Sequence, residues 1–581
     1  MGRTSSVRVD RGPSDGVRMR RVMVPTRDGI RLNAALYLPR SGPGRVPVCL
    51  EITPYGIDMM HDVGQDLARR GLGYLVVDVR GRGDSEGDFR QFVHDARDGV
   101  DVIDWLVEQP WCDGRVVLTG GSYTGLNQWL IMGEGHPAIV AAMPGAAVAV
   151  GIDFPRGGVA TLHNATWESL VWGHTFNAMS GTDRGLWLQE IREALDGGLG
   201  IEAVGEAFAL GRDTDWWRFL QSPGPESFAD MLPAEKGLRS ATVPVLTISG
   251  THDFCLLGTI YHWQRYLALA DPSAIARSHL VIGPWDHAGT GRGADSVGDL
   301  KLGEAAGVDL VGVLGDWCRH ILFDEPAPSF LEDRFIYYVA GAEEWRSAPS
   351  VAAATTGQRP MGLVATSGPQ DVFHSGWLAD GEGGGPDYAM TFDPQDRRVL
   401  EIEGAMRSAE GMGDPSFPLN FHSLLGVAQG ADPTDQIFSV TVDGDGVTYH
   451  SRPLDTPLTL VGEPYLRLIV VPDQPETDLC ALLHEVRTDG SAILLSTDLV
   501  RMSRCSAGDA PIRVGEENLL ELTGFRFVSR TLAPGSRLRL TLRSAWSSMT
   551  FPSDDFAQVP VTLIVRHRPD TMLALPLGGA T

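Results

Sequence analysis

The stretch Val116 to Trp129, Val-Val-Leu-Thr-Gly-Gly-Ser-Tyr-Thr-Gly-Leu-Asn-Gln-Trp, limits the possible folds of this chain more than any other. A β-branched run ends in the pair Gly120-Gly121, Ser122 stands at the apex, and a helix-compatible run follows. A strand that turns sharply into a helix needs small residues, and such a turn presents the apical side chain to whatever approaches. A serine hydroxyl there is a weak nucleophile until a base takes its proton and the developing oxyanion is stabilised. The usual spacing puts glycine two residues after the serine; here Thr124 holds that place and Gly125 follows. The segment also suits a tight turn whose serine merely caps the helix.

At 581 residues the chain exceeds what one hydrophobic core supports, so two or three domains are expected. No apolar run reaches the roughly 20 residues that span a bilayer. Met1 to Arg21 is polar and arginine-rich, which predicts no secretory signal. The net charge of −26 argues against a nucleic-acid partner, which needs clustered positive charge. Lysine occurs only at Lys236 and Lys301, so phosphate-loop, Ser-Lys and Schiff-base chemistry have almost nothing to use. The six cysteines are scattered, with no C-x-x-C and no histidine at zinc-ligand spacing. They read as reduced, mostly buried thiols, and with the missing signal they point to the cytoplasm.

Four segments follow from periodicity. Residues 18–147 alternate strands (Val22 to Pro25, Arg31 to Leu38, Val46 to Ile52, Tyr74 to Val79, Val116 to Leu118) with helices (Val63 to Arg70, Arg97 to Gln109), which predicts a parallel sheet covered by helices. Residues 148–240, rich in Trp, Gly and Ala, read as a helical insertion, for example over Gly185 to Leu195. The α/β pattern returns over 241–350, with strands at Val245 to Ser249, His279 to Ile282 and Phe335 to Val339. Residues 351–581 show short strands between Gly, Pro and Asp turns, including Phe438 to Val442, Leu458 to Val461, Tyr465 to Val471 and Arg537 to Arg543. They predict an all-β sandwich or jelly roll. Gly376 to Asp387 reads as a glycine-rich loop.

An activated serine in an α/β-hydrolase fold finds its partners in the chain order Ser, Asp or Glu, His. The strand ending at Ser249 runs into Gly-Thr-His252-Asp253, and the next runs into Gly283-Pro-Trp-Asp286-His287. Asp253 and His287 thus fall at the carboxyl ends of successive strands, where open α/β sheets place their chemistry. Ser122 would attack, His287 would move the proton, and Asp253 would orient the imidazole; His252 and Asp286 are second choices.

The motifs resemble the cocaine esterase and X-prolyl dipeptidyl peptidase family of serine hydrolases, in its CocE/NonD branch. Gly120 to Gly125 matches that family's G-x-S-Y-x-G, which accounts for the glycine at the third place. Further matches are Thr53-Pro54-Tyr55, Asp78 to Gly87, Gln109 to Gly114, Gly283 to His287, Glu344-Trp345-Arg346 and Tyr465 to Asp489. The resemblance implies an α/β-hydrolase core, a helical cap inserted after the nucleophile and a C-terminal jelly roll. It implies an oxyanion hole made by the Tyr55 hydroxyl and the Tyr123 amide, and an acyl pocket for which Trp167, Trp172 and Phe254 are candidates. It implies no cofactor or metal, a small-molecule ester or amide substrate, and compatibility with a homodimer. Ser85 reads as structural turn chemistry.

The stretch Phe392 to Leu424 and the tail from Trp546 depart from the family pattern. An ester with a hydrophobic acyl group is the expected substrate, because Phe254-Cys255-Leu256-Leu257 follows Asp253. An X-Pro dipeptidyl peptidase or α-amino ester hydrolase would need carboxylates for an ammonium group, with Glu51, Asp153 and Glu168 as candidates. An acyltransferase, or a binding protein with a vestigial triad, completes the alternatives.

Overall fold

The computed structural model describes residues 16–41, 44–160, 162–177, 184–197, 225–239, 241–366, 371–393, 446–544 and 559–579, with a few isolated positions between them. Strands β1 (Val17–Pro25) and β2 (Arg31–Pro39) pair antiparallel across a turn in which the Gly29 amide donates to the Thr26 carbonyl, 3.0 Å. β3 (Val46–Thr53) and β4 (Gly73–Asp78) are buried at every position, as strands covered on both faces must be. Helix α1 (His61–Arg69) connects them.

After α2 (Asp95–Val107) come β5 (Cys112–Gly121), α3 (Tyr123–Gly133) and β6 (Ile139–Gly145). Between β6 and β7 (Leu246–His252) come α4 (Leu162–Leu170) and a helix over Arg184–Asp196, and β8 (His279–Asp286) follows β7.

These strands form one sheet in the order β1-β2-β4-β3-β5-β6-β7-β8, continued by Phe335–Val339 and Glu344–Ala348. From β4 through β8 every pairing is parallel. The chain passes from β3 outward to β4 and then crosses back to β5 on the far side of β3. The carboxyl ends of β3 and β5 therefore flank the switch point, where doubly wound sheets open a crevice. Tyr55 follows β3 and Ser122 follows β5.

The first sheet ends at Ala348 and a second, of thirteen strands among the described residues, begins at Thr355. One apolar cluster runs through both, from Tyr74 and Trp285 to Leu466 and Leu575. Gly376 to Asp387, expected as loop, contains the strand Gly376–Asp380, paired with both neighbours through its backbone; glycine content did not prevent ladder bonds there. The divergent tail supplies Val561–Arg566 and Met572–Gly578, which are interior to the sheet. The expected strand Phe438 to Val442 and nearly all of Phe392 to Leu424 lie outside the described residues. No helix among the described residues is long and apolar enough to cross a membrane.

Candidate active site

Ser122 joins β5 to α3 with φ 64° and ψ −120°, a backbone region that costs a non-glycine residue about 1–3 kcal/mol. The surrounding structure holds it there. Its amide donates to the Gly145 carbonyl of β6 at 2.9 Å, and its carbonyl accepts from the Gly125 and Leu126 amides at 3.0 and 3.1 Å. A Cβ on Gly125 would lie 2.6 Å from the Gly145 carbonyl oxygen, so the glycine at the third place is the one that close approach requires. Thr124, at the second place, points beneath the turn: its hydroxyl lies 2.8 Å from the Gly121 carbonyl and 3.2 Å from Glu51 Oε1. Tyr74 donates to the other Glu51 oxygen at 2.7 Å. Burial pushes the Glu51 carboxyl up to about 7, against these hydrogen bonds.

β7 and β8 pair so that His252 stands opposite Asp286, which leaves Asp253 and His287 side by side just beyond the ladder. His287 Nδ1 lies 2.7 Å from Asp253 Oδ1. The Asp253 carboxylate also accepts from the Ser249 hydroxyl (2.7 Å) and the Cys255 amide (2.9 Å) and has no exposed surface. Burial alone would raise it, but the attraction of His287 and these hydrogen bonds outweigh that and hold it below the usual carboxylate range. Of the second choices, Asp286 accepts the Gly289 amide at 2.9 Å as a turn former, and His252 ends the strand. Phe254 covers the imidazole, ring centroids 4.1 Å apart.

The Tyr55 hydroxyl hydrogen-bonds with Ser122 and accepts from Trp167 Nε1 at 3.2 Å. Burial pushes this phenol up to about 12, partly offset by those two bonds. It is a donor that stays protonated. Tyr123 opens α3, so its amide is one of the four helical N–H groups without an intrahelical acceptor. Its side chain donates to Asp95 Oδ2 at 3.0 Å and stacks on Phe92 and Trp167. Among the described residues no hydrogen bond joins Ser122 to His287; such bonds often tighten only with substrate bound.

Ser122 and Tyr55 open into a cleft of about 430 Å³ including its mouth. Its apolar walls include Val148, Val150, Phe154, Phe254 and Trp167, and Gln91, Phe92, Tyr123 and Cys255 also line it. Trp172 is 42% exposed and is not among the lining residues, because it stands just past the end of α4. Val148, Val150, Phe154, Phe92 and the polar Gln91 are lining residues that the sequence does not single out; the first three sit in an apolar run directly after β6, the one signal available for them.

No carboxylate is among the described lining residues. Asp153 is buried and spends both oxygens on the Ala149 and Gly258 amides (2.8 and 3.0 Å), Glu51 lies under the serine turn, and Glu168 is buried on α4. Arg82, from the Asp78 to Gly87 motif, ties the chain after α4 to the core by donating to the Val171 and Thr175 carbonyls at 2.6 and 3.0 Å and to that of Gly173. Ser85 in the same motif is a structural bridge, donating to the Asp78 carbonyl (2.7 Å) and accepting the Asn33 amide (2.8 Å).

Asp253, Cys255 and His287 bring potential metal-ligand atoms within 4.8 Å of one another. The donor set suits an ion poorly, because His287 Nδ1 already faces Asp253 and burial holds the Cys255 thiol protonated.

Residues 28–289 match the X-Pro dipeptidyl-peptidase (S15 family), and residues 332–563 match the X-Pro dipeptidyl-peptidase C-terminal non-catalytic domain. The chain is 27% identical over 562 residues to the cocaine esterase of Rhodococcus sp. (strain MB1 Bresler), covering 92% of this chain and 91% of that one. Its fold is similar to that of an aminopeptidase from a marine-sediment Thaumarchaeota archaeon, with TM-score 0.79, 20% identity and 99% of each chain covered. It is also similar to an α-amino acid ester hydrolase, with TM-score 0.75, 19% identity, and 99% of this chain and 100% of that one covered. The chain thus carries an S15-family peptidase domain at residues 28–289, followed by the C-terminal domain of X-Pro dipeptidyl-peptidases at residues 332–563.

Proposed function

We propose that the chain hydrolyses carboxylic esters with an apolar acyl group through an acyl-enzyme on Ser122. Ser122 Oγ attacks the carbonyl carbon while His287, oriented through Nδ1 by Asp253, takes the proton at Nε2. The oxyanion is received by the Tyr55 hydroxyl and the Tyr123 amide. The protonated imidazole then gives its proton to the leaving alkoxide, and water repeats the sequence on the acyl-enzyme. The observation that carries this reading is an apolar cleft beside a strained serine that shares a hydrogen bond with a buried, protonated phenol. Cys49, Cys112, Cys255, Cys318 and Cys505, buried thiols outside any disulfide, support a reducing compartment, the cytoplasm.

The family description favours a second reading, release of X-Pro dipeptides. That reaction needs an ammonium partner, which the described lining residues do not supply. Initial rates on p-nitrophenyl esters of increasing acyl size and on Ala-Pro-p-nitroanilide separate the two. Serine-dependent ester cleavage without anilide release is the expected result; preferred anilide release contradicts the proposal.

A further inference from the structure

Buried under the serine turn is a carboxyl group that neither the proton relay nor the oxyanion hole uses. Glu51 sits on β3 with Tyr74 on one oxygen and Thr124 on the other. A Cβ on Gly120 would lie 3.0 Å from Glu51 Oε1, so the acid lies directly below the glycine pair that shapes the turn.

The hydroxyl geometry around it points to its state. The Thr124 hydroxyl has one hydrogen and two oxygen neighbours, the Gly121 carbonyl at 2.8 Å and Glu51 Oε1 at 3.2 Å. A carbonyl can only accept, and the shorter contact is the one to Gly121, so the threonine proton points there. On that assignment threonine accepts from its other side, and Glu51 Oε1 is the donor there. The remaining Glu51 oxygen accepts from Tyr74. An ionised Glu51 would take the threonine proton for itself and leave two lone-pair oxygens, those of Thr124 and Gly121, facing each other unbridged.

We propose that Glu51 is a positioning residue held as a neutral carboxylic acid, whose proton, relayed through Thr124, fixes the Gly121 carbonyl and thereby the turn that presents Ser122. This rests on the reading of Ser122 as nucleophile. Burial, which pushes this acid up to about 7, works in the same direction. The titratable groups nearby are Tyr74 of β4, Tyr37 of β2, Cys49 of β3 and Cys318 of the helix Leu310–Phe323, and no charged side chain is among the groups that shift Glu51. Raising the pH through the Glu51 titration removes the relayed proton, so kcat falls on the alkaline side.

The test compares wild type, Glu51→Gln, Glu51→Leu and Thr124→Val on a phenyl ester, with product measured by chromatography from about pH 6 to about pH 9 and Ser122→Ala as control. Glutamine keeps a permanent donor for Thr124 and an acceptor for Tyr74. It is expected to keep kcat within about three-fold of wild type at the acid end and to lose the alkaline fall. Glu51→Leu and Thr124→Val are expected to lower kcat by about 10- to 100-fold, the scale of a small misplacement of a reacting group, with KM nearly unchanged. Thr124→Val keeps the test decisive if Glu51→Leu does not fold. Superimposable pH profiles for wild type and Glu51→Gln, or a Glu51→Gln as poor as Glu51→Leu, overturn the proposal while leaving the nucleophile assignment intact. Turnover that survives Ser122→Ala overturns both.

Discussion

Two buried carboxyl groups stand behind the two halves of the candidate site, and their titrations are shifted in opposite directions. Glu51, under Ser122, has only hydroxyl partners and is pushed up to about 7 by burial. Asp253, under His287, is as deeply buried but faces an imidazole and accepts from Ser249 and the Cys255 amide, so it is held below its usual range. Both lie at the carboxyl edge of one parallel sheet. The sheet sets their places, and the partner sets their charge. Asp95, below the Tyr123 ring, belongs with Glu51: burial raises it to about 7, and its hydrogen-bonding side chains, Tyr123 and Asn127, are both uncharged.

Removing the anionic side has the largest expected effect. Asp253→Asn leaves the imidazole nearly in place but takes away the acceptor that fixes its tautomer, and kcat should fall by roughly 10⁴-fold. A loss of less than ten-fold would remove Asp253 from the relay. Tyr55→Phe tests the serine side, with an expected loss of about 10²- to 10³-fold in kcat, as for one oxyanion donor; wild-type rates would show that the phenol is only packing.

A smaller effect separates the two states by sign. Asp95 has a raised folded pKa, so the folded protein keeps a proton that the unfolded chain releases, and the stability this gives is lost as pH rises from about 4 to about 7. Asp95→Asn should therefore gain in thermal midpoint relative to wild type as the pH climbs through that window. Asp253, with a lowered folded pKa, stabilises above the unfolded value near 4 and loses this as pH falls, so the deficit of Asp253→Asn should shrink in acid. Parallel trends for the two variants would break the comparison. The smallest effect is none: EDTA should leave ester turnover unchanged, since His287 Nδ1 is committed to Asp253 rather than to an ion.

The core was legible wherever one short segment carries its own constraint. Val46 to Ile52 and Tyr74 to Val79 are apolar runs bounded by turns, and β3 and β4 follow them within a residue or so. The loops holding Asp253 and His287 could be placed because each follows a strand directly. β6 was not singled out, because Ile-Val-Ala-Ala-Met-Pro-Gly has little β-branched character; its burial between β5 and β7 makes it a strand. β8 was cut short at Ile282, since Gly283-Pro284 reads as a turn, yet the parallel pairing carries on to Asp286.

The states of Glu51 and Asp153 were not legible, because a carboxylate offered to a ligand and one spent on the protein's own amides and hydroxyls look identical in sequence. Trp172 shows the same limit: aromatic character near α4 does not say which side of the chain faces the cleft. In the second sheet the strands were legible but their order was not, since Met572–Gly578 pairs with strands more than 100 residues earlier.

An acyl group on Ser122 is captured by rapid quenching of the enzyme with p-nitrophenyl butyrate followed by peptide mass spectrometry. One butyryl group on the peptide carrying Ser122, formed in the first turnover and absent from Ser122→Ala, is the predicted result. Acylation at another residue, or turnover by Ser122→Ala, would contradict the account.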